Sequence, residues 1–168
     1  MAELYAYSAV TGEKLWSSGQ IESEGLVTFS HNLIVAYDMV IISGYDGHVR
    51  AFDSQTGALE WDYYKGSAGY EVFFGTWPDY GGYTVADKKV YVSSDDHSPE
   101  GVLWRGASLW CVNATNGEEL WKLPGMLRQS SIADGILVAG NSYDGLIYAI
   151  GKGPSELTVT APDTGIPL

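Results

Sequence analysis

Cysteine is almost absent: Cys111 stands alone among 168 residues, which excludes an intrachain disulfide and a Cys-rich metal cluster. Positive charge is also scarce. Nine Lys and Arg face 21 Asp and Glu, a formal net charge of −12, and such a field repels nucleic acid and anionic membrane surfaces. No apolar run approaches the ~18 residues of a membrane span. The opening segment from Met1 to Tyr7 (MAELYAY) has no basic stretch leading into an apolar one, so neither an export signal nor an anchor is expected within these residues. Long amphipathic helical patterns are lacking too. What is present is 21 Gly, 12 Tyr and 6 Trp, the balance of an all-β chain of short strands and tight turns. The length suits one domain of ~100 to 200 residues.

The strands are organised by an internal repeat. Residues 4–16 read LYAYSAVTGEKLW, 49–61 read VRAFDSQTGALEW and 109–121 read LWCVNATNGEELW, while 147–150 (IYAI) begin a further copy. Gly12, Gly57 and Gly117 each precede a Trp by four residues, at Trp16, Trp61 and Trp121. Alternating apolar residues make a strand, Thr-Gly or Asn-Gly supplies a turn with positive φ, and a second strand ends in Trp. Each copy therefore predicts a β-hairpin closed by an aromatic ring. Strand pairs precede the copies, most clearly at 38–53 and 134–150, with Asp46-Gly47 and Asp144-Gly145 at their turns. Four short strands per repeat, at about 45 residues, is the arithmetic of a propeller blade.

Trp16 to Trp61 is 45 residues and Trp61 to Trp121 is 60, an excess of 15 that divides into 11 around Asp95 to Gly106 and 4 around Gly69 to Tyr83. Insertions thus fall in connections, where a rigid scaffold carries its function. Counting strands gives two outer strands in residues 1–16, whole blades at 26–64 and 83–123, and three strands of a last blade at 131–151. The predicted fold class is all-β, a partial β-propeller of about three to four four-stranded antiparallel blades. Propeller repeats are expected over 1–152, followed at 153–168 by a linker and the start of another domain. A closed ring takes about 4 to 8 blades. The expectation is accordingly the C-terminal part of a longer protein, or a protomer that completes its ring as a homo-oligomer.

The pattern Ala-x-Asp-x-x-Thr-Gly-x-x-x-Trp, met in full at Ala51, Asp53, Thr56, Gly57 and Trp61, resembles the signature of PQQ-like propeller repeats. Ser8 replaces Asp in the first copy, and Cys111, Asn113 and Asn116 replace Ala, Asp and Thr in the third. The resemblance covers almost the whole chain. It implies that Gly12, Trp16, Gly57, Trp61, Gly117 and Trp121 are structural residues that bind neighbouring blades together. Residues 97–125 and the tail 151–168 are similar to archaeal PQQ-binding-like repeat proteins in which a propeller runs into an Ig-like domain, and Pro154, Pro162 and Pro167 set the tail off. Those relatives imply an extracellular or cell-surface location. One branch of the family consists of quinoprotein dehydrogenases, with PQQ and calcium on the propeller axis beside a catalytic Asp and an adjacent-cysteine disulfide. This chain has no Cys-Cys pair. The expectation is a binding module with no catalytic residue and no cofactor, PQQ and calcium entering only if it is part of a quinoprotein dehydrogenase.

Candidate ligand-binding residues lie in the two insertions. The first, Tyr70 to Tyr83 (YEVFFGTWPDYGGY), places Tyr70, Phe73, Phe74, Trp77, Tyr80 and Tyr83 among glycines and a proline. Exposed aromatics in a long connection suit stacking on a sugar or capturing a protein partner. Trp104 and Arg105 of the second insertion join them if both insertions emerge on one side. Asp95, Asp96 and His97 offer hard ligands for calcium, although that ion takes six or more oxygens and no spaced carboxylates of the EF-hand kind lie nearby. His31 and His48 have no His or carboxylate partner evident in sequence and read as turn or strand-surface residues. Asn113-Ala114-Thr115 fits a glycosylation acceptor by pattern, although it lies inside the repeat.

Overall fold

A computed structural model describes residues 2–21, 29, 32–80, 82–95 and 103–153. Among them are thirteen strands in four antiparallel sheets and no helix. Blade 1 is a pair, β1 (Tyr5–Tyr7) and β2 (Lys14–Ser17). Blade 2 runs in sequential order through β3 (Leu33–Ala36), β4 (Met39–Ser43), β5 (His48–Asp53) and β6 (Leu59–Tyr64). Blade 3 does the same with β7 (Tyr83–Ala86), β8 (Lys89–Val92), β9 (Ser108–Asn113) and β10 (Glu119–Pro124). Blade 4 holds β11 (Leu127–Ala133), β12 (Ile136–Asn141) and β13 (Leu146–Gly151).

This is the partial propeller expected from the repeat, with one boundary moved. β11 opens at Leu127 rather than near residue 131, because Gly125, at φ 142°, turns the chain directly after β10 and gives its N–H to the Ala107 carbonyl at 2.9 Å. The following domain expected from the tail lies outside the described residues.

Two kinds of turn build each blade. The β3–β4, β7–β8 and β11–β12 hairpins turn at Tyr37-Asp38, Asp87-Lys88 and Asp134-Gly135, all with positive φ. That is the primed-turn geometry matching the twist of paired strands. Tyr37 also accepts the Lys88 N–H on its hydroxyl at 2.9 Å, tying consecutive blades together at these turns. In the repeat hairpins, the Asp53 carboxylate accepts the Gln55 N–H at 3.0 Å and the Thr56 N–H and hydroxyl at 2.7 Å. Ser8 accepts the Thr11 N–H at 3.1 Å, and Asn113 accepts the Thr115 N–H at 2.9 Å. The Asp, Ser and Asn exchanges between copies are tolerated because all three side chains offer an acceptor to the same turn.

Trp and Gly hold consecutive blades against one another. A Cβ on Gly57 would stand 2.4 Å from the Trp16 ring, and one on Gly117 would stand 2.9 Å from the Trp61 ring. The Trp16 indole N–H donates to the Ser54 carbonyl at 3.0 Å, and that of Trp61 to the Ala114 carbonyl at 2.9 Å. Gly12 shares the φ of 74° but would place its Cβ against nothing within 4 Å. Trp121 tilts onto Tyr91 at 5.8 Å, and no described glycine lies beneath it.

Strand alternation then gives each whole blade two apolar faces. Val40, Ile42 and Phe52 meet Leu4 and Trp16 of blade 1. Ile41, Val49, Ala51 and Trp61 meet Val90, Val92, Trp110 and Val112 of blade 3. Tyr91, Leu109 and Cys111 meet Leu137 and Ala139 of blade 4. Burial pushes the Cys111 thiol up to about 12, so it behaves as an inert core residue.

Gly117→Ala is expected to cost about 2–4 kcal/mol, combining a left-handed alanine with displacement of the Trp61 indole. Gly12→Ala carries only the conformational part, about 1–2 kcal/mol. Urea denaturation of the two variants side by side checks the difference.

Candidate functional site

Antiparallel order sends the β4–β5, β6–β7, β8–β9 and β12–β13 connections to one side of the arc. Both insertions are among them: 65–82 between β6 and β7, and 93–107 between β8 and β9. They interlock there. Asp79 gives its N–H to the Gly44 carbonyl at 3.1 Å, and Asp95 gives its own to the Pro78 carbonyl at 3.0 Å. The Arg105 N–H donates to the Glu71 carboxylate at 2.6 Å. From blade 4, the Tyr143 hydroxyl donates to the Trp104 carbonyl.

The first insertion is a narrow ribbon. Ser67 bridges Thr76, and the Ala68 N–H reaches the Gly75 carbonyl at 3.0 Å. Its tip divides by side-chain direction. Val72 and Trp77 enter the core between blades 2 and 3, whereas Tyr70 and Phe73 stand fully in solvent. Phe74 stacks on Tyr45, with centroids 4.9 Å apart and planes at 20°. Tyr45 also stacks with Tyr80 at 6.2 Å. Of the residues proposed from sequence, Tyr70, Phe73, Phe74, Trp77, Tyr80, Trp104 and Arg105 lie on this side, while Tyr83 opens β7 and is buried. Tyr70 and Arg105 are exposed, Phe74 and Tyr80 are half-buried, and Trp77 and Trp104 are buried in the core. The two tryptophans support the surface and present no open ring. Leu103 adds an exposed apolar group beside Arg105.

At the base of the insertions lies Lys65, which is buried. Its ammonium donates to the Pro78 carbonyl at 3.2 Å and the Ser93 carbonyl at 2.9 Å, one from each insertion. It sits 5.4 Å from the Trp110 ring centroid. Burial pulls the amine down to about 8, an effect partly offset by the Asp79, Asp46 and Asp95 carboxylates.

A second network flanks it. Arg50 bonds Asp46 at 2.9 Å and Asp62 at 3.1 Å, and the His48 Nδ1 lies 2.5 Å from the other Asp62 oxygen. Burial works to raise the Asp62 pKa, but His48 and Arg50 outweigh it and hold the carboxylate below its ordinary value. The expectation of an isolated His48 is thereby corrected. Its partner sits fourteen residues away in sequence, on β6, where the β5–β6 register sets Arg50 opposite Asp62.

The Asp95 carboxylate is engaged by Arg128 in an ion pair. Asp96, His97 and His31 lie outside the described residues. Among those described, no three His, Cys, Asp or Glu side chains are grouped to hold a metal ion. Sequence reasoning missed Tyr45, Lys65 and Glu71. For Tyr45 a signal existed: Tyr45-Asp46-Gly47 recurs as Tyr143-Asp144-Gly145, and both tyrosines turn toward the insertions.

An all-β arc of four-stranded antiparallel blades, carrying its variation on one side, is a partial β-propeller. A family model described as outer membrane protein assembly factor BamB matches residues 1–76, and the chain's repeats are similar to that family's over those residues. By fold, the chain is similar to the crystal structure of BamB from Moraxella catarrhalis, at a TM-score of 0.59 and 17% identity, covering 89% of this chain and 39% of that one. It is also similar to a quinohemoprotein alcohol dehydrogenase from Comamonas testosteroni, at a TM-score of 0.55 and 18% identity, covering 90% and 33%. A europium-containing methanol dehydrogenase gives 0.56 and 15%, covering 73% and 21%. The chain therefore spans less than two fifths of the length of any of the three. At these identities the likeness establishes the fold. No curated protein matches the chain by sequence.

Lys65→Met is expected to destabilise the protein by about 3–5 kcal/mol, since it strips a buried cation from its carboxylates and carbonyls. The folded-state pKa lies below the ordinary 10.5, so above pH ~8 the unfolded chain binds the extra proton and wild-type stability gains with rising pH. The gap between wild type and variant, measured by urea denaturation, should widen from pH 7 to pH 9.5.

Proposed function

We propose that this chain is a noncatalytic propeller module that binds a protein partner through the side carrying the two insertions, within the cell envelope or at the cell surface. The observation that carries the reading is the pair of fully exposed rings, Tyr70 and Phe73, flanking Glu71, whose carboxylate accepts the N–H of the exposed Arg105. Large amphipathic rings with few rotatable bonds contribute disproportionately when a partner buries them. Their base is held by Glu71, Lys65 and the Tyr45 stack, so little ordering entropy is lost on binding. The envelope location is supported by the family description, outer membrane protein assembly factor, over residues 1–76.

The dehydrogenase likeness invites a quinone, and the donors present do not fit one. Cys111 has no second cysteine beside it and is sealed between blades 3 and 4, so no step through a quinone is derived. PQQ and calcium have no part in this proposal.

Selection of peptides from a display library against the purified chain tests the reading, with a glycan array run in parallel. Peptides that bind should lose about tenfold or more in affinity on Tyr70→Ser or Phe73→Ser. Ile136→Ser, on blade 4, should leave binding unchanged. Glycan binding with no peptide selected would replace the protein partner by a sugar. A quinone absorption band retained with calcium after gel filtration would overturn the noncatalytic reading.

A further inference from the structure

On the side carrying the insertions, rings pack on rings. Phe73 meets Phe74 nearly at a right angle, with centroids 5.6 Å apart and planes at 83°. Phe74 in turn stacks on Tyr45, and Tyr45 on Tyr80. Across the Asp46-Gly47 turn, His48 stacks on Tyr64 at 4.8 Å and 29°. Gly47 joins the two groups: a Cβ added there would stand 1.9 Å from the Thr76 hydroxyl of the ribbon and 3.3 Å from the Tyr64 ring. The rings thus form one run of aromatic surface over the β4–β5 turn and the first insertion, in which Phe73 is 97% exposed.

The charges around these rings are unequal. Among the described residues about the insertions, each cation is already committed. Arg50 is paired with Asp46 and Asp62, Arg105 with Glu71, and Arg128 with Asp95. Lys65 is buried against two carbonyls. The Asp144 carboxylate, in the β12–β13 turn, is instead held by neutral donors, the Tyr148 hydroxyl at 2.6 Å and the Asn141 amide at 3.1 Å. The whole chain carries a net charge of −12. An acidic partner would meet no uncommitted cation among these residues and a repulsive field. A basic one meets attraction and electron-rich ring faces.

We propose that this surface receives a Lys- or Arg-bearing segment of a partner protein, its cation laid against the exposed rings of Phe73 and Tyr70. The inference rests on the protein-binding role and adds the chemistry of the partner. A long basic side chain answers both features of the surface at once, because its stem buries against apolar area while its charge is drawn to the ring quadrupole. The chain uses the same contact within itself: the Lys65 ammonium lies 5.4 Å from the Trp110 centroid, and that of Lys14 lies 5.7 Å from the Tyr5 centroid. The negative field of the chain steers such a segment to the surface, an attraction that salt screens.

Two peptide display libraries, one containing Lys and Arg and one with neither, selected against the whole chain at about 0.15 M salt, provide the test. Binders should come from the first library. Replacing the basic residue of a selected peptide by norleucine or citrulline should weaken binding about three- to tenfold. Raising salt from about 0.05 to 0.5 M should weaken it as well. Phe73→Leu keeps an apolar side chain but removes the ring, and should cost these peptides about threefold or more with unchanged circular dichroism, the position being exposed. Equally tight binders from the library without Lys and Arg overturn this inference and leave the protein-binding role standing. Basic peptides that bind Phe73→Leu and Tyr70→Leu as tightly as wild type overturn it too, since charge alone then accounts for them. A selection that yields nothing from either library overturns the binding role and this inference with it.

Discussion

An indole laid on a glycine of the next blade is the contact from which the rest of the arrangement follows. Gly57 and Gly117 adopt φ near 75° and carry no Cβ, and the rings of Trp16 and Trp61 occupy the space a side chain would need. Each indole N–H also bonds a carbonyl beside the turn, so ring position and turn position fix one another. This sets how closely successive sheets approach, and so which of their residues interleave as core. Where no described glycine meets Trp121, a cavity of about 510 Å³ opens between blades 3 and 4. Tyr91, Trp121, Leu137 and Ile150 line it, with Lys89 at its wall.

With the sheets fixed in this way, both insertions inherit a rigid base and a common side. The chain is strongly acidic, yet it buries one of its few cations at their junction. Lys65 satisfies carbonyls from both insertions and balances carboxylates that would otherwise repel one another. A buried ammonium is unfavourable by itself. Here it couples the two loops, because moving either one away removes one of the two carbonyls that satisfy the charge. The Asp46, Arg50, Asp62 and His48 network does the same for the β4–β5 turn and β6. Tyr70 and Phe73 are therefore presented from a buttressed ribbon.

Much of this was legible because the repeat is written in local chemistry. Thr56-Gly57 and Asn116-Gly117 name their turns, alternation names the strands, and the excess residues name the insertions. What was not legible depends on direction in space. Trp77 and Trp104 look like exposed binding aromatics in a loop, but the ribbon and the β8–β9 connection fold their rings inward, to be buried with Trp110. His48 looks isolated until the strand pairing supplies Asp62. Lys65 looks like an ordinary surface lysine at the end of an aromatic strand.

The all-β blades, their hairpins and the places where they are interrupted could be read from local patterns, since each rests on residues close together in the chain, and the staples could be read because the repeat writes the same Gly and Trp into every copy. Which aromatics are core and which are surface, where the buried lysine sits, and how the two insertions interlock came only from the packed fold. Those outcomes depend on contacts between strands dozens of residues apart, and burial is a property of the packed assembly rather than of any segment.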